Sequence, residues 1–207
     1  MCIRYVAGGN LQGLQATVRG PSPDQEELFP GEAAEILRIS EDGSRELVTA
    51  KWGLTPHWAK DANWGKRSAY NARSESIREK PTFREAFKKR RCIVPAVALY
   101  EQQEGRWIRF APKDMEFFAV AGLWEPANDL SGADTYTMVT TDSNSIVLPA
   151  NDRMPVILHP DEMDLWISHD APVDGLMSLL VACPSEWMVA EDDGPTGRKK
   201  KGEDTLF

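Results

Sequence analysis

Two nucleophiles meet at the start of this sequence if its first residue, Met1, is removed. Cys2 would then carry an α-amine and a thiol on adjacent carbons, with ordinary pKa values of about 8 and about 8.5. An amine attacks an aldehyde to give a Schiff base, and the neighbouring thiol can then close a thiazolidine ring at high effective concentration. The pair predicts an aldehyde trap or an amidohydrolase nucleophile with the amine as its base. The alternative is an incidental cysteine at a chain terminus.

Four other positions carry polar groups suited to the same kind of site. Asn71 and Arg73 lie two residues apart, on one face of an extended segment. An amide and a guanidinium there suit a phosphate or an oxyanion. Glu101 follows an apolar run, residues 92–100, that predicts a buried strand. Its carboxylate is either solvent-facing or a half-buried acid with a raised pKa, and Arg153 is a second candidate phosphate ligand.

Residues 51–91 form a basic segment within an acidic protein. They hold twelve Lys and Arg against four Asp and Glu, a net charge of +8, so the remaining chain carries −16 against the total of −8. Trp52, Trp58 and Trp64 lie in the same segment. Aromatic rings that stack on bases, mixed with cations that meet phosphates, are typical of single-stranded DNA binding. The alternatives are tryptophans in the core and basic residues on a solvated helix face.

The composition bounds the class of protein. A chain of 207 residues with 42% hydrophobic and 27% charged residues is typical of one globular domain. No apolar run approaches the roughly 20 residues that span a membrane, and Arg4 interrupts any secretory signal. The cysteines Cys2, Cys92 and Cys183 are odd in number and scattered, which predicts no disulfide framework and no zinc site. We expect a cytoplasmic protein without a metal or another cofactor.

The hydrophobic pattern predicts many strands and few helices, hence an α+β fold. We expect one domain over residues 1–190, a largely antiparallel, barrel-like β core with a few flanking helices, and a flexible tail over 191–207. Helices are predicted to begin near Ser22, at a capping box from Thr82 to Glu85, and at His159. Besides 92–100, the predicted strands are 34–39, 45–52, 107–110, 117–123 and 135–141.

Seven short motifs, in this order, resemble the SRAP family, the SOS-response-associated peptidase domain. The resemblance runs from Met1 to about Trp166. The motifs are Met1-Cys2-x-Arg4-Tyr5, Trp52-Gly53-Leu54-x-Pro56-x-Trp58, Asn71-Ala72-Arg73-x-Glu75, Arg91-Cys92-Ile93-Val94-Pro95, Tyr100-Glu101, Ala121-Gly122-Leu123-Trp124-Glu125 and Asp152-Arg153-Met154-Pro155-Val156-Ile157-Leu158.

The resemblance implies a protein that binds abasic sites in single-stranded DNA, often near junctions with duplex, and forms a thiazolidine crosslink through Cys2. The crosslink would shield the lesion during the DNA damage response. Asn71 would hold the terminal amine or the sugar, and Glu101 would act as general acid and base. The arginines would grip flanking phosphates. These are Arg4, Arg73 and Arg153. We expect a monomer in the cytoplasm that associates with the nucleoid when bound to DNA.

Three positions depart from the family pattern, and two other functions stay open. Asn151 stands where a histidine acid/base is usual, Ile3 where glycine is usual, and Gln102 where an aromatic is usual. Asn cannot move a proton at neutral pH, so crosslinking or its reversal should be slower than in relatives with His. One alternative is a peptidase or amidohydrolase that uses Cys2, Asn71 and Glu101. The other is a non-catalytic single-stranded DNA binder.

Overall fold

The computed structural model describes residues 2–9, 17–19 and 27–196, and for 17–19 it describes the backbone alone. Within these ranges no helix is long and apolar enough to cross a membrane. The helix predicted to begin near Ser22 lies outside the described residues, as do residues 197–207 of the predicted tail.

The described residues form one thirteen-stranded sheet and four short helices. The strands are β1 (Arg4–Ala7), β2 (Thr17–Arg19), β3 (Glu27–Leu28), β4 (Ala33–Ile39), β5 (Arg45–Trp52), β6 (Asn71–Arg73), β7 (Arg91–Gln103), β8 (Arg106–Pro112), β9 (Phe118–Glu125), β10 (Thr135–Asp142), β11 (Arg153–Pro155), β12 (Ile157–Leu158) and β13 (Met188–Pro195). The helices are α1 (Trp64–Ser68), α2 (Arg84–Lys89), α3 (Met163–Ile167) and α4 (Val173–Ser178).

Five strands close on themselves. β9 pairs with β10, β10 with β5, β5 with β4, β4 with β7, and β7 again with β9. Most of these pairings are antiparallel, whereas β10 runs parallel to β5 and to β6. The predicted α+β fold with a barrel-like, largely antiparallel sheet is therefore confirmed, as are all the strands predicted over 34–141.

Strand β7 of the ring is buried on both faces. In β7, Cys92, Val94 and Ala96 pack into one core cluster, and Ile93 packs into the other. The second cluster also takes in α2, α3 and α4, for example through Trp166. Because side chains alternate across a strand, a strand covered on both faces reads as a continuous apolar run, which is the pattern of residues 92–100.

Two local expectations are corrected by the structure. α2 begins after Phe83, and no side-chain hydrogen bond caps it, so the predicted capping box from Thr82 to Glu85 does not form. β13 continues to Pro195 and pairs with β8, so residues 191–195 belong to the sheet and not to a flexible tail. Ladder hydrogen bonds and ion pairs hold this segment although its composition is acidic and polar. At His159 the predicted helix start is confirmed, with a capping box to Glu162 and Pro at the first position.

Candidate active site

Cys2 lies two residues before the start of β1, in the first core cluster. Its side chain is 1% exposed, and its thiol donates a hydrogen bond to the carbonyl oxygen of Arg4 at 3.3 Å. Burial raises the pKa of the thiol to about 12, and the negative charge of Glu101 adds to the rise. The thiol is therefore protonated at neutral pH, and its attack on an electrophile needs a nearby base.

β6 brings Asn71 to Cys2. This strand runs parallel to β10, with Asn71 opposite Met138, and the Asn71 Nδ2 donates to the Cys2 carbonyl oxygen at 2.8 Å. The Asn71 Oδ1 is buried and has no hydrogen-bond partner among the described residues. The predicted extended segment is confirmed, with Ala72 buried between Asn71 and an exposed Arg73. An unpaired buried acceptor is costly, so the Oδ1 is suited to a donor that arrives with the substrate.

Glu101 lies near the end of β7, only 6% exposed. Arg4 of β1 pairs with Tyr100, so the residues before Arg4 meet the strand at Glu101. Burial raises the pKa of the carboxyl group, against the positive charge of the amino terminus and a hydrogen bond from Asn151. Of the two alternatives for this strand end, the structure excludes the solvent-facing carboxylate, because Glu101 is buried. A raised pKa moves a carboxyl group towards the range in which it serves as a general acid and base.

Asn151 holds this carboxylate in place. Its Nδ2 donates to the Glu101 Oε2 at 2.8 Å, and its Oδ1 accepts from the backbone N–H of Arg153 at 3.0 Å. Both ends of the amide are therefore engaged, which fixes its orientation. An amide supplies hydrogen bonds but no titratable proton, so Glu101 is the acid of this pair.

Trp52 was predicted to contact DNA, and that prediction is wrong. Its ring is 0% exposed, its Nε1 donates to the Tyr70 carbonyl oxygen at 2.7 Å, and it packs edge-on against Tyr5. Val48, Ala50 and Trp52 share one core cluster along β5. The period-2 pattern of the strand therefore carries Trp52 inward, whereas Trp58, outside the strand, is 44% exposed.

The Arg4 guanidinium already has carboxylate partners in this structure. It forms ion pairs with Glu27 and, at 3.1 Å, with Asp193. Its guanidinium also lies over the Tyr100 ring, 3.9 Å from the centroid, and over the Trp107 ring. A phosphate can reach these donors only by displacing a carboxylate.

Arg153 and Arg73 differ in whether acidic residues already bind the guanidinium. Arg153 is 8% exposed and is held by Glu75 and Asp142 at 2.5 and 2.6 Å, and by the Thr140 carbonyl oxygen. Arg73 is exposed, and the described residues offer it no ion pair. The structure thus leaves Arg73 open to an incoming anion and places Arg153 in a network that supports the Asn151 turn.

Sequence reasoning missed a pair of tyrosines beneath the site. The Tyr5 and Tyr136 hydroxyls lie 2.5 Å apart in the core cluster that contains Cys2. Their signal was available, since a tyrosine in a buried strand must find a polar partner for its hydroxyl. Among the described residues no group of three His, Cys, Asp or Glu could hold a metal ion.

Known proteins resemble this chain both in sequence and in fold. The abasic site processing protein YoqW of Bacillus subtilis (strain 168) is 39% identical over 159 residues, which cover 70% of this chain and 68% of YoqW. The abasic site processing protein HMCES of Xenopus tropicalis is 30% identical, over 68% of this chain and 51% of HMCES. A crystal structure of a protein from Bacteroides thetaiotaomicron is 25% identical with a TM-score of 0.82, over 92% of this chain and 91% of that one. A sequence model of the SOS response associated peptidase family matches residues 1–192, and the chain belongs to this SRAP family.

Proposed function

We propose that this protein recognises abasic sites in single-stranded DNA and, once Met1 is removed, crosslinks them through Cys2 as a thiazolidine. The observation that carries the proposal is the convergence of Asn71 and Glu101 on Cys2. Relatives named abasic site processing proteins support the substrate. The proposed partner is single-stranded DNA, the proposed working unit is a monomer, and association with the nucleoid would follow from DNA binding.

The first step joins the amine of Cys2 to the aldehyde carbon of the ring-opened sugar. A C–N bond forms, the carbonyl π bond breaks, and Glu101 in its neutral form gives a proton to the oxygen. The nitrogen then loses a proton to Glu101, and the hydroxyl takes it and leaves as water, which produces an iminium ion. Burial favours the neutral acid at the start, and the Asn71 Oδ1 is suited to accept from the amine.

The second step closes the ring. The Cys2 sulfur bonds to the iminium carbon, the C=N π pair returns to nitrogen, and the thiol proton passes to the Glu101 carboxylate. Glu101 ends as the acid with which it began, and the net change is the loss of one water. A thiol whose pKa is about 12 needs this base.

A denaturing gel tests the proposal. Purified protein, its mass showing that Met1 is absent, is mixed with a single-stranded oligonucleotide that bears one abasic site. We expect a heat-stable shifted band with this strand, none with an intact strand, and none with the Cys2→Ala protein. No band would reject crosslinking and leave the DNA binder, which should hold abasic and intact strands alike.

A further inference from the structure

Cations and aromatic rings form a row across three strands beside the site. Arg4 of β1 lies opposite Tyr100 of β7, and Tyr100 lies opposite Arg109 of β8. Directly opposed residues project from the same face of a sheet. Trp107, two residues before Arg109, shares that face and lies under the Arg4 guanidinium. Guanidinium groups over rings are what a single nucleic-acid strand uses for its phosphates and bases.

Acidic side chains already cover this row. Glu191 of β13 lies opposite Arg109 and pairs with it at 3.2 Å. Asp193, at the bulge of β13, and Glu27 of β3 both bind Arg4. The Arg4 side chain is 11% exposed, while those of Asp193 and Glu27 are 36% and 43% exposed. The carboxylates therefore lie between the buried cation and solvent.

A carboxylate and a phosphate diester accept hydrogen bonds from the same guanidinium donors. Arg4 follows Cys2 by two residues, and its backbone carbonyl oxygen accepts from the Cys2 thiol, so the residue that carries this guanidinium is a direct neighbour of the nucleophile. We infer that Asp193, with Glu27, is an internal competitor that occupies Arg4 in the free protein and is displaced by a DNA phosphate next to the lesion. The inference rests on the proposed function, because there Arg4 contacts the strand that carries the abasic site.

This competition lowers the affinity for every DNA strand without affecting the covalent step. An intact strand cannot react and dissociates. An abasic strand reacts with Cys2 before it dissociates and stays covalently bound. Weakening the competitor should therefore lower the DNA concentration for half-maximal crosslinking and leave the maximal rate unchanged.

The chain offers a matched control within the same strand. Asp192 neighbours Asp193 and has an exposed ion pair with Arg106 at 2.5 Å, on the opposite face of β8. Asp193→Asn and Asp192→Asn thus remove the same charge at nearly the same place. Relative to Asp192→Asn, we expect Asp193→Asn to bind an intact single strand roughly two- to fivefold more tightly, the range of one exposed ion pair. Glu27→Gln should act in the same direction.

Combination with Arg4→Gln decides whether the effect passes through Arg4. In that background the advantage of Asp193→Asn over Asp192→Asn should vanish. Equal affinities of the two variants, an advantage that persists without Arg4, or a changed maximal rate would each overturn the inference. Thermal melting confirms that the variants are folded. Absence of crosslinking by the unaltered protein would reject the proposed function, while the intact-strand affinities would still test the competition.

Discussion

Two buried cysteines of the same core cluster, Cys2 and Cys92, differ in their surroundings and not in their acidity. Burial raises the pKa of both thiols. Each also has its backbone carbonyl held by a side chain, Cys2 by Asn71 at 2.8 Å and Cys92 by Trp166 at 2.9 Å. A raised thiol pKa and a fixed backbone carbonyl are common to both cysteines, so neither distinguishes the proposed nucleophile from a core residue.

The difference lies in the groups that can exchange protons. Cys92 is the second residue of β7 and lies opposite Gly122, where a Cβ added to Gly122 would lie 2.8 Å from its sulfur. Cys2 feels the charge of Glu101, whose carboxylate is held by Asn151. The comparison teaches that the proposed reactivity of Cys2 depends on a neighbouring acid and on the adjacent amine, and not on a stored thiolate.

Removal of the acid should have the largest effect in this comparison. Glu101→Gln keeps the shape and can still accept from Asn151, but it cannot move a proton. We expect crosslinking to slow by about 10²–10⁴-fold, the usual contribution of general acid–base catalysis. Single-turnover rates on an abasic oligonucleotide measure this, and a rate within twofold of the unaltered protein would contradict the role of Glu101.

The same substitution should stabilise the fold at neutral pH. Burial raises the folded-state pKa of Glu101 above the value of about 4.3 in an unfolded chain. Stability at this residue is therefore greatest below the unfolded pKa and declines as pH rises through the folded pKa. Glu101→Gln should melt at a higher temperature than the unaltered protein at pH 7, and the difference should shrink at pH 4. An equal difference at both pH values would contradict burial as the cause.

A second proton-exchanging group at position 151 should make Cys2 more reactive and leave Cys92 unchanged. Asn151 lies 2.8 Å from the Glu101 Oε2, so a histidine there has a proton partner at hand. We expect Asn151→His to speed crosslinking or its reversal, by up to about 10²-fold. Asn151→Ala is the control, since it removes the hydrogen bonds and adds no titratable group. Equal rates of the two variants would show that proton transfer at position 151 does not matter.

The local elements of the fold could be predicted from the sequence, whereas the partners of its arginines could not. Continuous apolar runs such as residues 92–100 give buried strands, because their neighbours cover both faces. The closing of the ring depends on the pairing of Thr135 with Lys51, far apart in the chain, and no local pattern encodes it. Arg153 looked like a phosphate ligand since Glu75, 78 residues away, approaches it only through the fold.

The part of the site that could be predicted consists of residues whose side-chain chemistry is recognisable in the sequence. Cys2, Asn71 and Glu101 stand out as a nucleophile, an amide and an acid, and the structure brings them together. Trp52 was misjudged because composition, aromatic rings among cations, was given more weight than the alternation of β5. Its position two residues beyond Ala50 on the same face was the better indicator of burial.

The smallest effect on chemistry, and a clear effect on stability, should come from the second cysteine. Cys92→Ala leaves a void where the sulfur lies against Gly122, so we expect a loss of about 1–2 kcal/mol in unfolding free energy. Crosslinking should proceed at the unaltered rate, because no group that exchanges protons depends on this thiol. Denaturant titration and single-turnover rates measure the two outcomes, with Cys2→Ala, folded but unreactive, beside them. A fall in the crosslinking rate would place Cys92 within the reaction and remove the distinction between the two thiols.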